Sequence, residues 1–340
     1  MIIRRCIIGK VSIIIPAYNA ENTIESTISS ALSQTYSNIE VVVVNDGSID
    51  TTENVLISKF GNDSRVRVIT QMNQGVSVAR NTGIEQSAGE YIVFLDSDDY
   101  LENSFVSTLV SLISKSNSDI AFCAYRWVDE NDAILKSVIP NIEEGVVRHG
   151  ESVLISIFDG SMNIWTGSAL YRKDFIQRNN IIFTPGAKNG QDREFIWKAV
   201  LKSERIVGTR EVLSNYVVRK NSLVKNPEIS KIHTLGCMRR IGTFIRKNTR
   251  DVRILSIFER RLLPRDYTAL VYFFAIRGFP YNELVAISRN SGYRANLRRI
   301  SSSYAKTSEY IATMGLLIFP RLTILFFKLI GRILRKDLLD

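Results

Sequence analysis

Four short runs rich in β-branched residues, "VSIIIP" (11–16), "IEVVVVND" (39–46), "VRVIT" (66–70) and "YIVFLD" (91–96), are spaced through the first hundred residues with helix-patterned segments between them. That alternation restricts the fold more than any other feature of the chain. Each run is apolar on successive residues, as a strand covered on both faces of a parallel sheet should be. The intervening segments, 19–35, 50–60 and 75–89, carry apolar residues at helical spacing, with Asn19 or Asn22, Asp50 or Thr51, and Ser77 as candidate N-caps. The series reads as repeated βαβ units. The expected fold class is α/β, a mostly parallel sheet flanked by helices.

In such sheets ligands bind at the loops beyond the carboxyl ends of the strands. The unusual residues of this chain fall there: "PAYN" (16–19) after the first run, "NDGSID" (45–50) after the second and "DSDD" (96–99) after the fourth. Period-two alternation at a strand tip would put Asp96 and Asp98 on one side. Their hard oxygen ligands suit Mg²⁺ or Mn²⁺ held against a substrate's phosphates. The competing assignment makes Asp98 or Asp99 the N-cap of a helix near residues 100–114. No G-x-G-x-x-G or G-x-x-x-x-G-K-[ST] follows any run, which removes the dinucleotide and P-loop fingerprints.

With 340 residues, 45% of them hydrophobic, the chain can bury a sizeable core in one large domain or two. Cys6, Cys123 and Cys237 lie far apart, so neither a disulfide framework nor a cysteine metal site is expected, and a reducing cytoplasm fits. Only His149 and His233 are present, which leaves most acid–base work to carboxylates. At the N-terminus, Arg4 and Arg5 precede an apolar stretch that Lys10 and Pro16 interrupt, with no small-residue cleavage site after it. A first strand is expected there, not a signal peptide.

"PAYN", "VNDGSIDTT" (44–52), "NQGVSVARNTGIEQSAGEYIVFLDSDDYL" (73–101) and "GQDREFIWK" (190–198) resemble glycosyltransferase family 2 in order and approximate spacing, over residues 10–225. The resemblance implies a GT-A fold, a UDP-sugar donor, Mn²⁺ or Mg²⁺, and inversion at the anomeric carbon, while the residues beyond it read as a C-terminal helical extension. It divides the chain into a donor-binding half (1–100), an acceptor and catalytic-base half (101–235) and a basic helical region (236–340). By the same resemblance Pro16, Ala17, Tyr18 and Asn19 line the base and ribose site, and Asp46, with Gly47 and Ser48 beside it, meets the uracil ring. Gly75 lets the backbone approach the donor, and Arg80 lies beside the nucleotide. Asp96 binds ribose or metal-bound water, Ser97 belongs to the donor site, and Asp98 holds the metal.

Asp192 falls at the family's general-base position. Its local alternative is an N-cap for 193–202. Gln191 stands where glutamate is more usual and is assigned to the acceptor side. Trp165, in the acceptor-like segment 161–183, is either a sugar-stacking surface or a core residue. Arg219, within "NYVVRKNSL" (215–223), is expected to pair with the donor diphosphate.

The charge is uneven. Residues 1–200 hold 17 Lys+Arg against 24 Asp+Glu, and residues 201–340 hold 27 against 10. A basic C-terminal part suits nucleic acid, an anionic membrane or a solvated helical face. Pro320, Arg321 and Lys328 interrupt residues 314–336 too much for a span of ~20 apolar residues. On a helical wheel Arg321, Lys328, Arg332 and Arg335 share about a third of the circumference. Phe326, Phe327, Ile330, Ile333 and Leu334 lie opposite. Either an interfacial helix or one packed on the core fits that pattern.

The expected function is therefore an inverting glycosyltransferase acting on a glycan or polyprenyl-linked saccharide in polysaccharide biosynthesis. It would be cytoplasmic, peripheral on the inner face of the membrane, with no nucleic-acid partner. A GT-A-like nucleotidyltransferase would need a glycine-rich, lysine-bearing loop near the first strand, which is missing. A non-catalytic nucleic-acid binder would leave the acidic strand tips unexplained.

Overall fold

The four apolar runs form β1 (Val11–Ala17), β2 (Ile39–Asn45), β3 (Val66–Thr70) and β4 (Tyr91–Phe94), paired in parallel in the order β3-β2-β1-β4. The computed structural model describes residues 9–219 and 229–336. Residues 1–8, part of the expected first strand, lie outside them. Every residue of β1, β2 and β4 is buried. Strand β3 is not, as Val68 and its neighbours are partly or largely exposed. It forms the sheet edge, past the cover that helices give the centre, so the expectation of two covered faces fails there.

The crossovers are α1 (Ile24–Leu32), α2 (Thr52–Phe60) and α3 (Val76–Gln86). Ile24 and Ile28 of α1 share one apolar cluster with Ile13 and Ile15 of β1. The N-cap positions belong to Thr23, Thr51 and Gly75. Asn19, Asn22 and Ser77 are therefore not caps, although Asp50 accepts a bond from the Thr52 amide at 3.0 Å. A Cβ at Gly83 would lie 2.2 Å from Ile14 Cγ2, so only glycine lets α3 lie this close to β1.

Beyond β4 the sheet becomes mixed. The chain continues through β5 (Tyr100–Leu101), α4 (Phe105–Ser116), β6 (Ile120–Val128), β7 (Ile134–Val138), α5 (Gly150–Asp159), β8 (Ala169–Arg172), α6 (Lys173–Arg178), α7 (Gln191–Lys202) and β9 (Ile206–Val217). Strand β8 joins β4 in antiparallel, and the order runs on as β8-β6-β9-β5, with β7 paired to β6. The chain thus winds outward from β1 in one direction to β3 and in the other through β4, which makes the carboxyl ends of β1 and β4 the topological switch point.

The chain separates into two compact units, Met1–Ser222 and Leu223–Asp340. The second is helical: α8 (His233–Asn248), α9 (Val252–Ile257), α10 (Leu263–Ile276), α11 (Tyr281–Arg289), α12 (Ser291–Leu297), α13 (Thr307–Ile318) and α14 (Pro320–Lys336), with a π turn at Phe258–Leu262. Its core gathers Met238, Phe258, Tyr267, Phe274, Leu284 and Ile324, all buried. Among the described residues no helix is long and apolar enough to cross a membrane.

Candidate active site

Strand β4 ends at Phe94, and the acidic residues follow it in a turn closed by the Asp99 amide donating to the Asp96 carbonyl at 3.1 Å. Asp96 and Asp98 are therefore not placed by strand alternation, as expected from sequence, but by this turn. Nor are Asp98 and Asp99 helix caps. The next helix begins at Phe105 behind Ser104, and Asp99 is 2% exposed, its Oδ1 accepting from the Val217 amide at 2.8 Å. Thr27 adds a bond to the Asp99 carbonyl at 2.9 Å. The turn is thereby tied to both α1 and the end of β9.

Crowding of carboxylates shows in their acidities. Burial, then repulsion from Asp98 and Asp96, holds Asp99 well above the usual carboxylate range. Asp98 is raised too, by burial and by Asp96, with Arg219 opposing. Arg219 lies against this turn. Its Nη2 donates to the Asp98 carbonyl at 3.3 Å and its Nε is 3.8 Å from Asp98 Oδ2. The rest of the segment assigned with it, 220–223, lies outside the described residues.

Arg80 is the centre of the site. It projects from α3, is 2% exposed, and its guanidinium lies 4.9 Å over the Phe183 ring. One terminal nitrogen donates to Asp96 Oδ1 at 2.6 Å and the other to Asp192 Oδ1. Burial works against the charge of this guanidinium, but the two anions outweigh it and push its pKa up, so it stays charged. The expectation of an arginine beside the nucleotide thus becomes a fork joining the acidic turn to the expected base. That tie is the feature that sequence reasoning missed, since nothing local connects two residues 112 apart in the chain.

Asp192 is the second residue of α7, behind Gly190 in the left-handed region, so the N-cap alternative does not hold. Its side chain remains 37% exposed. Partial burial raises its pKa, Arg80 pulls the other way, and Asp96 adds repulsion. With Oδ1 engaged by Arg80, Oδ2 is the atom left to take a proton from a ligand. Gln191 beside it is buried, its Oε1 without a hydrogen-bond partner.

On the donor side, Pro16 and Ala17 are buried within β1, whereas Tyr18 and Asn19 are exposed. From this loop only the latter two present side chains. Asp46, expected at the uracil ring, is 3% exposed, and its carboxylate accepts from Gln71 Nε2 (2.7 Å), the Gln74 amide (2.9 Å) and the Gly75 amide (2.7 Å). It shapes the 71–75 loop. Gly75 at its end has φ +87°, and no atom lies within 4 Å of where its Cβ would be. Gly47 has φ +70°, and Ser48 Oγ accepts from the Asn19 amide at 3.0 Å.

Trp165 is half-buried, its ring 5.4 Å from Tyr125 and 5.6 Å from Tyr216. Tyr216 in turn lies 5.5 Å from Trp127, which is 40% exposed. Trp165, partly exposed just before Thr166, is therefore not a core residue, and its ring joins an aromatic row from β6 and β9. His149 caps α5, accepting from the Glu151 amide, and Cys123 and Cys237 are both buried.

Residues 12–196 match a family model described as "Glycosyl transferase family 2". Among curated proteins, the chain is 38% identical over 223 residues to an Escherichia coli protein named UDP-Glc:alpha-D-GlcNAc-diphosphoundecaprenol beta-1,3-glucosyltransferase WfgD, covering 64% of this chain and 80% of that one. It is 32% identical over 222 residues to glycosyltransferase GlyA of Streptococcus pneumoniae serotype 4, covering 63% of this chain but 31% of GlyA. Several curated relatives are thus matched over less than two thirds of their length. The crystal structure of S. aureus TarS 1-349 in complex with UDP-GlcNAc aligns with TM-score 0.73 at 20% identity, over 96% of this chain and 92% of that one. The expected GT-A class, with its helical C-terminal region, is shared along nearly the whole chain.

Proposed function

Because the chain belongs to glycosyltransferase family 2, we propose that it moves a sugar from a UDP-sugar to a hydroxyl of a lipid-linked or surface glycan, with inversion at the anomeric carbon. One observation carries the reading: Arg80 holds Asp192 and the acidic turn together at the switch point of the sheet. The UDP and UDP-GlcNAc complexes of TarS support the donor class. The name of WfgD supports a polyprenyl-diphosphate-linked acceptor. Family membership leaves the nucleotidyltransferase and nucleic-acid alternatives without support.

Asp192 is the general base. Its free Oδ2 accepts the proton of the acceptor hydroxyl as that oxygen bonds to the anomeric carbon and the bond from that carbon to the UDP oxygen breaks. Arg80 orients the carboxylate and stays charged throughout. Tyr18 and Asn19 face the nucleotide, while Asp46 acts on it by positioning the 71–75 loop.

Among the described residues no cluster of three or more His, Cys, Asp or Glu side chains is placed to hold a metal. Two carboxylates nonetheless fit Mg²⁺ or Mn²⁺, which complete their shells with water and substrate phosphate. Asp98, its side chain 46% exposed, and Asp96 would hold the ion. Such an ion stabilises negative charge on a departing diphosphate.

The test is release of UDP from a panel of UDP-sugars, with Mn²⁺ or with a chelator, by the wild type and by Asp192→Asn. Turnover of at least one donor that the variant loses supports the reading. No release from any UDP-sugar by a folded wild type overturns it.

A further inference from the structure

Helix α14 is apolar on two faces, and only one of them is packed. Ile324 and Phe327 are buried, and a Cβ at Gly331 would meet the Ile276 backbone at 2.5 Å, so this face lies tightly on α10. On the adjoining face Leu322, Leu325, Phe326, Leu329 and Ile333, with Phe319 just before the helix, are 52% to 65% exposed. At 3.6 residues per turn these positions span roughly 100° of arc. Single exposed apolar residues need no explanation, but a contiguous row does. Arg321 and Arg332, both exposed, border it. Lys328, assigned from sequence to the same basic stripe, instead donates to the Phe279 carbonyl at 2.6 Å. Arg335 and Leu334 lie outside the residues whose side chains are described.

We propose that this row is a docking surface for an anionic lipid bilayer, its apolar side chains entering the interface while the bordering arginines meet the headgroups. Charge selects this occupant. Residues 223–340 hold 22 Lys+Arg against 8 Asp+Glu, a net +14, whereas residues 1–222 carry a net −4. A second copy on the same row would bring two strongly positive units and their arginine borders together, which like charge opposes. An anionic surface neutralises them. With no described helix able to cross a membrane, α14 lies on the bilayer and does not span it. The inference stands apart from the donor and acceptor assignments, because the row belongs to the C-terminal unit.

The experiment is sedimentation of the full chain with phosphatidylcholine vesicles, with and without phosphatidylglycerol, at low and high salt. Wild type should partition onto the anionic vesicles at least about tenfold better, and lose that preference at high salt. Leu322→Ser with Phe326→Ser should reduce binding about tenfold, and Arg321→Glu with Arg332→Glu should abolish the lipid preference. All four positions are exposed, so thermal unfolding should stay near wild type. If the serine pair fails to fold, the arginine pair decides. UDP release measured alongside reports on the active site separately. Absent or charge-independent vesicle binding by the wild type overturns the proposal, as does undiminished binding by a folded variant. An oligomer that Phe326→Ser dissolves, with no vesicle binding, overturns it in favour of self-association.

Discussion

Arg80 gives one arm of its guanidinium to Asp96 and the other to Asp192, so one buried cation sets the distance between the acidic turn after β4 and the first turn of α7. Those two segments are distant in the chain, and both ion pairs run through the one guanidinium. A buried charge that loses its partner costs several kcal/mol, and the same holds for the two anions that would lose Arg80.

Arg80→Met should therefore destabilise the fold by about 3 kcal/mol and abolish transfer. Arg80→Lys keeps the charge but cannot reach both carboxylates with a planar fork. It should keep most of the stability while losing about tenfold or more in kcat. Thermal unfolding and kcat measured on both variants separate the two effects. A lysine variant with wild-type kcat would show that the fork geometry does not matter.

Asp192→Asn leaves a neutral side chain of the same shape, unable to take a proton. Transfer should fall about 10²-fold or more, while UDP affinity stays near wild type. Calorimetry with UDP and a transfer assay read the two quantities independently. Rapid transfer by the variant would remove Asp192 from the reaction.

How much of this was legible in the sequence depends on how local the cause is. Four consecutive valines at 41–44 encode a strand with both faces covered, and β2 is one. The same signal overreaches at 66–70, because nothing in "VRVIT" says that it will lie at the sheet edge. The acidic cluster at 96–99 was visible, but the turn that arranges it depends on Val217, 118 residues further on. In α14 a wheel separates apolar from basic positions, yet both the face packed on α10 and the exposed face read as apolar. Only the packing partner distinguishes Phe327 from Phe326.

The raised pKa values of Asp98, Asp99 and Asp192 carry a stability consequence of definite sign. A folded-state value above the unfolded one means that the folded chain holds more protons in that window, so stability falls as pH rises through it. The electrostatic penalty is fully present above the folded values. A divalent cation at Asp98 and Asp96 would relieve it, and must compete with protons to bind. The rise in melting temperature produced by Mn²⁺ should therefore grow as pH rises from the ordinary carboxylate range toward neutrality, and Asp98→Asn should erase most of it. Scanning fluorimetry across that range decides the matter. A shift independent of pH, or retained in the variant, would remove the cation from this turn.

Asp99 offers a test of the turn itself, because its two oxygens have opposite circumstances. Oδ1 accepts from the Val217 amide, whereas Oδ2 is buried without a hydrogen-bond partner. Asp99→Ala removes the acceptor and strands a buried amide, at a cost of about 1–3 kcal/mol. Asp99→Asn keeps an oxygen for Val217 and removes a carboxylate that its neighbours repel, so it should be neutral or stabilising near neutral pH. Because the bond to Val217 also fixes where β9 ends, two residues before Arg219, the alanine variant should weaken UDP binding while the asparagine variant retains it. Urea unfolding and UDP calorimetry on the pair check both halves. If alanine and asparagine prove equally stable, the turn is held by the Thr27 bond and its own backbone, and Asp99 has no share in placing Arg219.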